Sequence, residues 1–263
     1  MRIHGSTVLL TGATGLLGQA LAHEMAERGA DLVLTGRRPD VLDPLAKELD
    51  ARAVAADLSS PKEVRRLMKA AGEVDVVIAN AAMLAFGLLS EFTAEEVDYL
   101  LDINLRSPVH LTRLAAEHMV AQQSGHLVFI LSVAGKYASQ RLSMYNCAKF
   151  GLRGYSRALR QELRPHNVGV SSILPGYIRE PHSTKPEVKL PRWTGGSNSP
   201  EEIARATTRA IERDRGETVV SPLPVRLSAS LAAQAPDLAH ALFRRVDYDR
   251  VAREMHAGGK VHR

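Results

Sequence analysis

The sequence predicts an α/β fold, an open and doubly wound parallel sheet of about seven strands with helices on both faces. Short apolar runs rich in β-branched residues alternate along the chain with segments of helical periodicity. The strand-like runs are continuously apolar, as parallel strands covered on both faces are. The 263 residues are enough for one large domain. We therefore predict a single domain over 1–263, with its core over about 5–222.

The first half of the chain supplies four strands and the helices between them. The predicted strands span 6–12, 31–37, 51–58 and 74–82. Predicted helices span 16–30 and about 40–49, and a third ends near Ala71. That third helix begins after Ser60, because Ser-Pro-Lys-Glu provides an N-cap, a proline at the first helical position and a capping-box acid. The crossovers between such parallel strands are right-handed by default.

The second half of the chain continues this alternation. Capping boxes at Thr93–Glu96 and Ser199–Glu202 predict helices that run to about Leu105 and Arg213. Pro108 is predicted to restart a helix that runs to about Gln123. The remaining predicted elements are strands over 125–132, 168–176 and 217–222 and a long helix over 143–164.

Two segments lie outside the alternation. Residues 177–199 are rich in Pro, Gly, Ser and Thr without a clear period, which predicts a functional loop, often a lid. Residues from about 227 to 256 are predicted to form a C-terminal helical extension of one or two helices, broken near Pro236. Its apolar stripe fits a face packed on the core or on a sister subunit. The alternative is a surface for a lipid-like substrate or a peripheral membrane contact.

Composition and charge narrow the class of protein. Apolar residues make up 45% and charged residues 24%, as in ordinary globular proteins. The net charge of +5 is spread along the chain, so we predict no nucleic-acid partner. The histidines lack ligand spacing and Cys147 is the single cysteine, so we predict no metal site. With no signal peptide and no apolar run of about 18 residues, the expected location is cytoplasmic.

The stretch TGATGLLG, residues 11–18, joins the first strand to the first helix. Its glycines let the backbone turn tightly and come close to a ligand. A pyrophosphate there would meet free backbone N–H groups and the positive end of the helix dipole. In a β-α-β unit this pattern predicts a dinucleotide site. The residues predicted to contact the cofactor in this turn are Gly12, Thr14, Gly15, Leu17 and Gly18.

The ends of the next strands indicate which dinucleotide binds. At the tip of the second strand Arg37 and Arg38 stand where an NAD-binding protein would have an acid. Guanidinium groups hold phosphate well, so NADP(H) is the predicted preference and NAD(H) stays open. The further predicted contacts at strand ends are Asp57 and Leu58 on the adenine side and Asn80 and Ala81 on the ribose side.

Three side chains in SVAGKYASQRLSMYNCAK, residues 132–149, have the chemistry of proton transfer. Tyr145 and Lys149 are four residues apart on one helix and share a face. A free phenol has a pKa of about 10, and a neighbouring ammonium is expected to lower it toward the working pH. Tyr145 is therefore a candidate general acid/base. Ser132 ends the fifth strand, at the edge of the sheet where ligands bind, and its hydroxyl is placed to bond a substrate oxygen.

At these residues the chain resembles an NAD(P)-dependent short-chain dehydrogenase/reductase, over about residues 5–222. The resemblance implies a Rossmann-type fold and an enzyme. The residues that match the motifs of that family are Ser132 with the Tyr145-x-x-x-Lys149 pair, Asn80 in NAA, Asn104 in DINLRSP, and Pro175 with Gly176 after the sixth strand.

The resemblance also implies a role for each matched side chain. Ser132 would orient and polarise the substrate oxygen, and Tyr145 would exchange its proton. Lys149 would hold the nicotinamide ribose and lower the tyrosine pKa, while Asn104 would anchor a water that links the lysine to solvent. The cofactor contacts implied on this side are Tyr145, Lys149, Pro175, Gly176 and Ile178. A small-molecule carbonyl or alcohol substrate and a homodimer or homotetramer are implied as well.

Two departures from the pattern of that family stand out. Its common glycine turn would place a glycine at 16, where this chain has Leu16 and uses Gly15 instead. That spacing is typical of the longer branch that acts on sugar nucleotides. The family often has a threonine four residues after the Pro-Gly glycine, where this chain has Glu180.

We predict an NADP(H)-dependent oxidoreductase that interconverts a ketone or aldehyde and an alcohol by hydride transfer, with Tyr145 as general acid/base. Three alternatives stay open. One is a reductase of 3-oxoacyl thioesters or lipid carbonyls. Another is a sugar-nucleotide epimerase or dehydratase, which would use the same tyrosine and lysine. The last is a non-catalytic NADP-binding regulatory protein.

Overall fold

A computed structural model describes residues 1–179 and 196–238. Its strands are β1 (Thr7–Thr11), β2 (Asp31–Thr35), β3 (Arg52–Ala53), β4 (Val76–Ala79), β5 (Gly125–Ile130), β6 (Val168–Pro175) and β7 (Glu217–Val220). All pair in parallel in one sheet of order β3-β2-β1-β4-β5-β6-β7. The predicted parallel sheet of about seven strands is confirmed.

Helices cover both faces of the sheet. In the described residues they are α1 (Leu16–Glu27), α2 (Pro39–Glu48), α3 (Pro61–Ala71), α4 (Ala94–Leu101), α5 (Ser107–Ala121), α6 (Ser143–Leu163), α7 (Pro200–Glu212) and α8 (Leu223–Gln234). Val8 and Leu10 of β1 pack in one buried cluster with α1, α2 and α7. Leu9 packs in the other cluster with α3, α5 and α6. Both faces of the strand are therefore apolar, which explains why the strand runs do not alternate.

The strand order reverses between β1 and β4. β2 and β3 extend the sheet on one side of β1, whereas β4 to β7 extend it on the other. The connections that leave β1 and β4 therefore diverge at their carboxyl ends and leave a crevice between them. Ligands of open α/β sheets bind at such a point.

Helix starts follow the predicted caps with one exception. Thr93 with Glu96, and Ser199 with Glu202, form complete capping boxes. Ser60 accepts a hydrogen bond from the Glu63 backbone N–H, but the return bond of a capping box is not made. The Glu63 carboxylate bonds Arg66 instead, at 2.6 Å.

The predicted break before Pro108 is wrong. The chain stays helical from α4 into α5 through a π-helical turn at Asp102–Arg106. Proline has no N–H, so residue 108 cannot make the α-helical bond to the carbonyl of Asn104. The wider turn absorbs this loss without ending the helix, and such turns occur frequently at functional sites.

Two further boundaries differ from the prediction. Regular pairing of β3 covers two residues, whereas a strand over 51–58 was predicted, although Val54 and Ala56 still donate backbone bonds to β2 and its end. In the C-terminal extension α8 ends at Gln234, just before Pro236, as predicted. Most of the predicted loop at 177–199, with Glu180, and the extension beyond Leu238 lie outside the described residues. Among the helices that the structure describes, none is both long and apolar enough to cross a membrane.

His126 should make the stability of the fold depend on pH. It is buried at the start of β5, and its Nε2 lies 2.8 Å from the Ser171 hydroxyl. Burial lowers its pKa from 6.5 to about 4, against the opposing effect of the Asp214 carboxylate. Between pH 6.5 and 4, His126 is protonated in the unfolded chain and neutral in the folded one. The free energy of unfolding is therefore expected to fall by about 3 kcal/mol between pH 6.5 and 4 from this residue alone.

Urea unfolding over that pH range measures the effect. His126→Gln keeps a hydrogen-bond donor toward Ser171 and removes the titrating group. Between pH 6.5 and 4 the free energy of unfolding should therefore fall by about 3 kcal/mol less in this variant than in the wild type. Equal losses in the two proteins would contradict the assignment.

Candidate active site

The crevice at the carboxyl ends of β1 and β4 contains a cavity of about 530 Å³. The predicted cofactor residues that line it are Gly12, Thr14, Gly15, Leu17, Gly18, Arg37, Arg38, Asp57, Leu58, Asn80 and Ala81. Ala82, which with Asn80 and Ala81 follows the fourth strand, lines it as well, and four lining residues were not predicted: Gly36, Ala56, Met83 and Ile103. Ile103 comes from the π-helical turn, about twenty residues after β4, so no local pattern pointed to it.

The glycine turn brings backbone to backbone across the crevice. Gly12 has φ +66°, and a side chain there would come within 2.8 Å of the Ala81 backbone. A side chain at Gly18 would lie 2.0 Å from the Gly12 carbonyl oxygen. Gly15 differs, because only ordinary contacts surround the place of its missing side chain. The fold needs glycine at 12 and 18, whereas a glycine at 15 leaves room for a ligand.

The N-terminus of α1 fits a bound pyrophosphate. Gly15 is its N-cap and offers no side-chain acceptor, unlike the capped starts of α3, α4 and α7. The first backbone N–H groups of α1 lie beside the cavity without a side-chain cap. Together with the helix dipole they form an anion site. The residues present therefore fit a dinucleotide phosphate group.

The two arginines at the end of β2 are held by different partners. Arg38 donates to the Thr14 carbonyl in the glycine turn, at 2.8 Å. Arg37 donates to the hydroxyl of Tyr99 on α4. Both guanidinium groups are exposed at the edge of the cavity. Tyr99 was not predicted, because no local pattern connects α4 with the end of β2.

Ser132, Tyr145 and Lys149 lie together one strand further along the sheet. Ser132 follows the end of β5, and its hydroxyl interacts with the Tyr145 phenol in the direction that lowers the phenol pKa. The backbone N–H of Ala134 donates to the Ser132 oxygen, which leaves the serine proton for the phenol. The Lys149 Nζ lies 5.4 Å from the centre of the Tyr145 ring. The same nitrogen donates to the Ile130 carbonyl at 3.1 Å. The predicted hydroxyl, phenol and ammonium thus share one site.

The expected lowering of the Tyr145 pKa is wrong in this structure. Burial raises the pKa of Tyr145 to about 12, and the hydrogen bond from Ser132 opposes this only in part. Burial also lowers the pKa of Lys149 to about 8. Desolvation disfavours the charged form of each group, and the ammonium is directed at a carbonyl and not at the phenol oxygen. At neutral pH the phenol therefore keeps its proton, the form needed to protonate a substrate oxygen.

Asn104 is buried in the π-helical turn and fixes the chain after β4. Its Oδ1 accepts from the Met83 N–H and its Nδ2 donates to the Met83 carbonyl, each at 2.9 Å. Its side chain is therefore used for structure. Its backbone carbonyl lacks the α-helical donor at position 108, which is proline, and the water predicted at Asn104 stays a prediction.

The last predicted cofactor residues lie at the carboxyl end of β6, next to β5. Pro175 ends that strand, and the Gly176 N–H donates to the Val220 carbonyl at 2.9 Å. Ile178 forms a parallel bridge with Asn198. These three residues do not line the cavity of the glycine turn. They lie on the side of Ser132, so the predicted contacts form two groups along the same edge of the sheet.

The comparison with known proteins decides the family. The family model described as short chain dehydrogenase matches residues 6–189, within which the glycine turn and the Ser-Tyr-Lys set both fall. This chain belongs to the short-chain dehydrogenase family. As a member of it, the protein is an NAD(P)-dependent oxidoreductase.

This short-chain dehydrogenase is similar to a ketoacyl reductase and to proteins solved with a bound dinucleotide. It is 31% identical to a ketoacyl reductase, HetN, of Nostoc, over 84% of this chain and 80% of the relative. It is 27% identical to a short-chain dehydrogenase from Sphingobium yanoikuyae solved in complex with NADPH, with a TM-score of 0.76, covering 92% of this chain and 97% of that one. A family member from Burkholderia phymatum, solved with NAD, shares the fold with a TM-score of 0.79 at 22% identity, covering 90% and 96%.

Proposed function

We propose that this short-chain dehydrogenase reduces a ketone or aldehyde with NADPH and that Tyr145 donates the proton. The observation that carries the proposal is the contact of the Ser132 hydroxyl with the Tyr145 phenol above a buried lysine. The bound dinucleotide supplies the hydride. The chain itself supplies the proton and the hydrogen bonds that orient the reacting oxygen.

Each of the three side chains has a distinct task in this proposal. Ser132 donates to the substrate oxygen and aligns it with the phenol. Tyr145 gives its proton to that oxygen as negative charge develops on it, and takes the proton back in the oxidative direction. Lys149, whose pKa of about 8 leaves it mostly charged at pH 7, stabilises the phenolate that remains. A water on the Asn104 carbonyl would return a proton from solvent.

Turnover of NADPH tests the proposal. Purified protein is mixed with NADPH and a panel of ketones, aldehydes, diones and acyl thioesters, and NADPH oxidation is followed with product analysis. Turnover of at least one carbonyl to its alcohol supports the proposal. NADPH-independent isomerisation of sugar nucleotides, with no net reduction of any carbonyl, would favour the epimerase alternative instead.

The preference for NADP(H) rests on Arg37 and Arg38. In the Arg37→Ala/Arg38→Ala variant we expect the KM for NADPH to rise about 30-fold or more, because charge-assisted bonds to a 2′-phosphate are lost. The KM for NADH should change less than about 3-fold. Arg157→Ala, at an exposed arginine of α6, is the matched control. Equal changes for both dinucleotides would refute the proposed phosphate contact.

A lipid carbonyl or 3-oxoacyl thioester is a second candidate substrate. Leu84, Leu88 and Leu89 are large, exposed apolar side chains in the segment that follows Ala81 and Met83 of the crevice. The ketoacyl reductase among the relatives points the same way. A kcat/KM that rises with acyl chain length would support this candidate, and a kcat/KM that does not change with chain length would remove it.

A homodimer or homotetramer is also proposed, for which light scattering in solution is the test.

A further inference from the structure

The loop between Ser132 and Tyr145 determines how these two residues are placed relative to each other. It must return the chain from the end of β5 to the start of α6 so that two hydroxyl groups meet. Within it, Val133–Gly135 forms a short 3₁₀ turn and the rest is irregular up to Ser143. A loop without regular bonding cannot hold side chains to a fraction of an ångström unless other groups fix its backbone.

Asn146, the residue after Tyr145, provides that fixation. Its Nδ2 donates to the carbonyls of Ala134 at 2.6 Å and Tyr137 at 2.9 Å. Its Oδ1 accepts from the Ser139 N–H at 3.2 Å. The residue is 6% exposed, so these bonds are shielded from water. One amide thus attaches the loop to the first turn of α6 at three points.

The same loop is attached to α6 a second time, further along the helix. Lys136 and Arg153 both bond the Glu217 carboxylate of β7, at 2.9 and 2.7 Å. All three side chains are largely buried. Between the two attachments Gly135 rests on the helix, since a side chain there would lie 3.0 Å from the Lys149 carbonyl oxygen. The loop is therefore pressed against the helix that carries Tyr145 and Lys149.

We propose that Asn146 is a positioning residue that sets the contact between the Ser132 hydroxyl and the Tyr145 phenol. The proposal rests on the proposed reductase function. Asn146 acts through the loop, because its hydrogen bonds go to loop backbone groups and to neither hydroxyl. Without it the Ala134 carbonyl, two residues from Ser132, loses its bond to the first turn of α6. Ser132 then drifts while the crevice at the glycine turn, which contains no atom of this loop, is unchanged.

A double-mutant cycle with Ser132 distinguishes positioning from general support. Asn146→Ala should lower kcat about 10- to 100-fold, because displacements of about 1 Å have such effects, and should leave the KM for NADPH within about 3-fold. In a Ser132→Ala background, where there is no hydroxyl to position, the same change should cost less than about 3-fold. The same factor in both backgrounds would overturn the proposal.

Two further variants guard against a folding artefact. Asn146→Asp keeps the size and the acceptor and removes both donors, so it should show the same dependence on Ser132. Asn167→Ala, four residues after the end of α6, removes an exposed asparagine bond to the Gln123 carbonyl and should leave kcat unchanged. A crystal structure of Asn146→Ala should show the Ser132 and Tyr145 oxygens separated beyond bonding distance. The crystal structure does not depend on turnover. An inactive wild-type protein would refute the reductase function, and the structure of the variant would still test the positioning role of Asn146. An intact contact in the variant would refute the positioning role.

Discussion

Tyr145→Phe is expected to lower kcat for carbonyl reduction by about 10²–10⁴-fold, the range that a positioned general acid contributes. The phenol interacts with the Ser132 hydroxyl, and its raised pKa of about 12 keeps it protonated at neutral pH. Phenylalanine keeps the ring beside Lys149 and removes only the oxygen. The affinity for NADPH should therefore stay within about 3-fold, as measured by fluorescence titration.

Tyr155→Phe is the matched control for this experiment. Tyr155 lies on the same helix, and its hydroxyl bonds Thr112 at 3.2 Å, away from the crevice. Its loss should change kcat by less than about 2-fold, since surface and packing effects that leave the site intact do not alter the chemical step. Unchanged turnover in Tyr145→Phe would remove the proposed role of this residue and with it the mechanism.

Lys149→Met is expected to make the protein more stable and less active at once. Lys149 is 2% exposed, and burial lowers its pKa from 10.5 to about 8. At pH 7 the folded protein therefore carries a buried charge that costs about 3 kcal/mol. Loss of the bond to the Ile130 carbonyl returns about 1 kcal/mol. The free energy of unfolding should rise by about 2 kcal/mol, while kcat falls because no cation stabilises the phenolate.

The pH dependence of the free energy of unfolding provides a second check on this prediction. The unfolded lysine stays protonated up to pH 10.5 and the folded one up to about pH 8. Raising the pH from 8 to 10.5 therefore stabilises the wild type relative to the variant and narrows the difference between them. Lys69→Met, at an exposed lysine of α3, should shift stability by less than about 0.5 kcal/mol. A destabilised Lys149→Met protein would contradict the argument.

Local signals in the sequence were enough for most of the architecture. Apolar runs located all seven strands, and the Thr93 and Ser199 boxes located two helix starts, because both depend on neighbouring residues only. Pro108 misled for the opposite reason. Proline is compatible with a helix start and equally with a widened turn, and the chain adopts the widened turn at Asp102–Arg106.

The site was predictable where spacing determines geometry. Tyr145 and Lys149 share a face by helical periodicity, and Ser132 and the glycine turn lie at strand ends. The pKa of Tyr145 was not predictable, since burial depends on the elements packed around it. Asn146 and Tyr99 were missed because an asparagine or tyrosine has no local signature. Their partners, the Tyr137 carbonyl and Arg37, are recognised only when the chain is folded.

The π-helical turn at Asp102–Arg106 restricts where segments of this chain can be replaced by those of a homologue. The turn holds one residue more than an α-helical turn does, and a regular α-helix over the same residues would rotate everything after it by about 100°. Leu111, Ala115 and Met119 would then leave the core cluster that they share with β4 and β5. An alignment that treats the stretch as ordinary helix would shift every later position by one. Chimeras and loop grafts should therefore take 94–121 as a single unit.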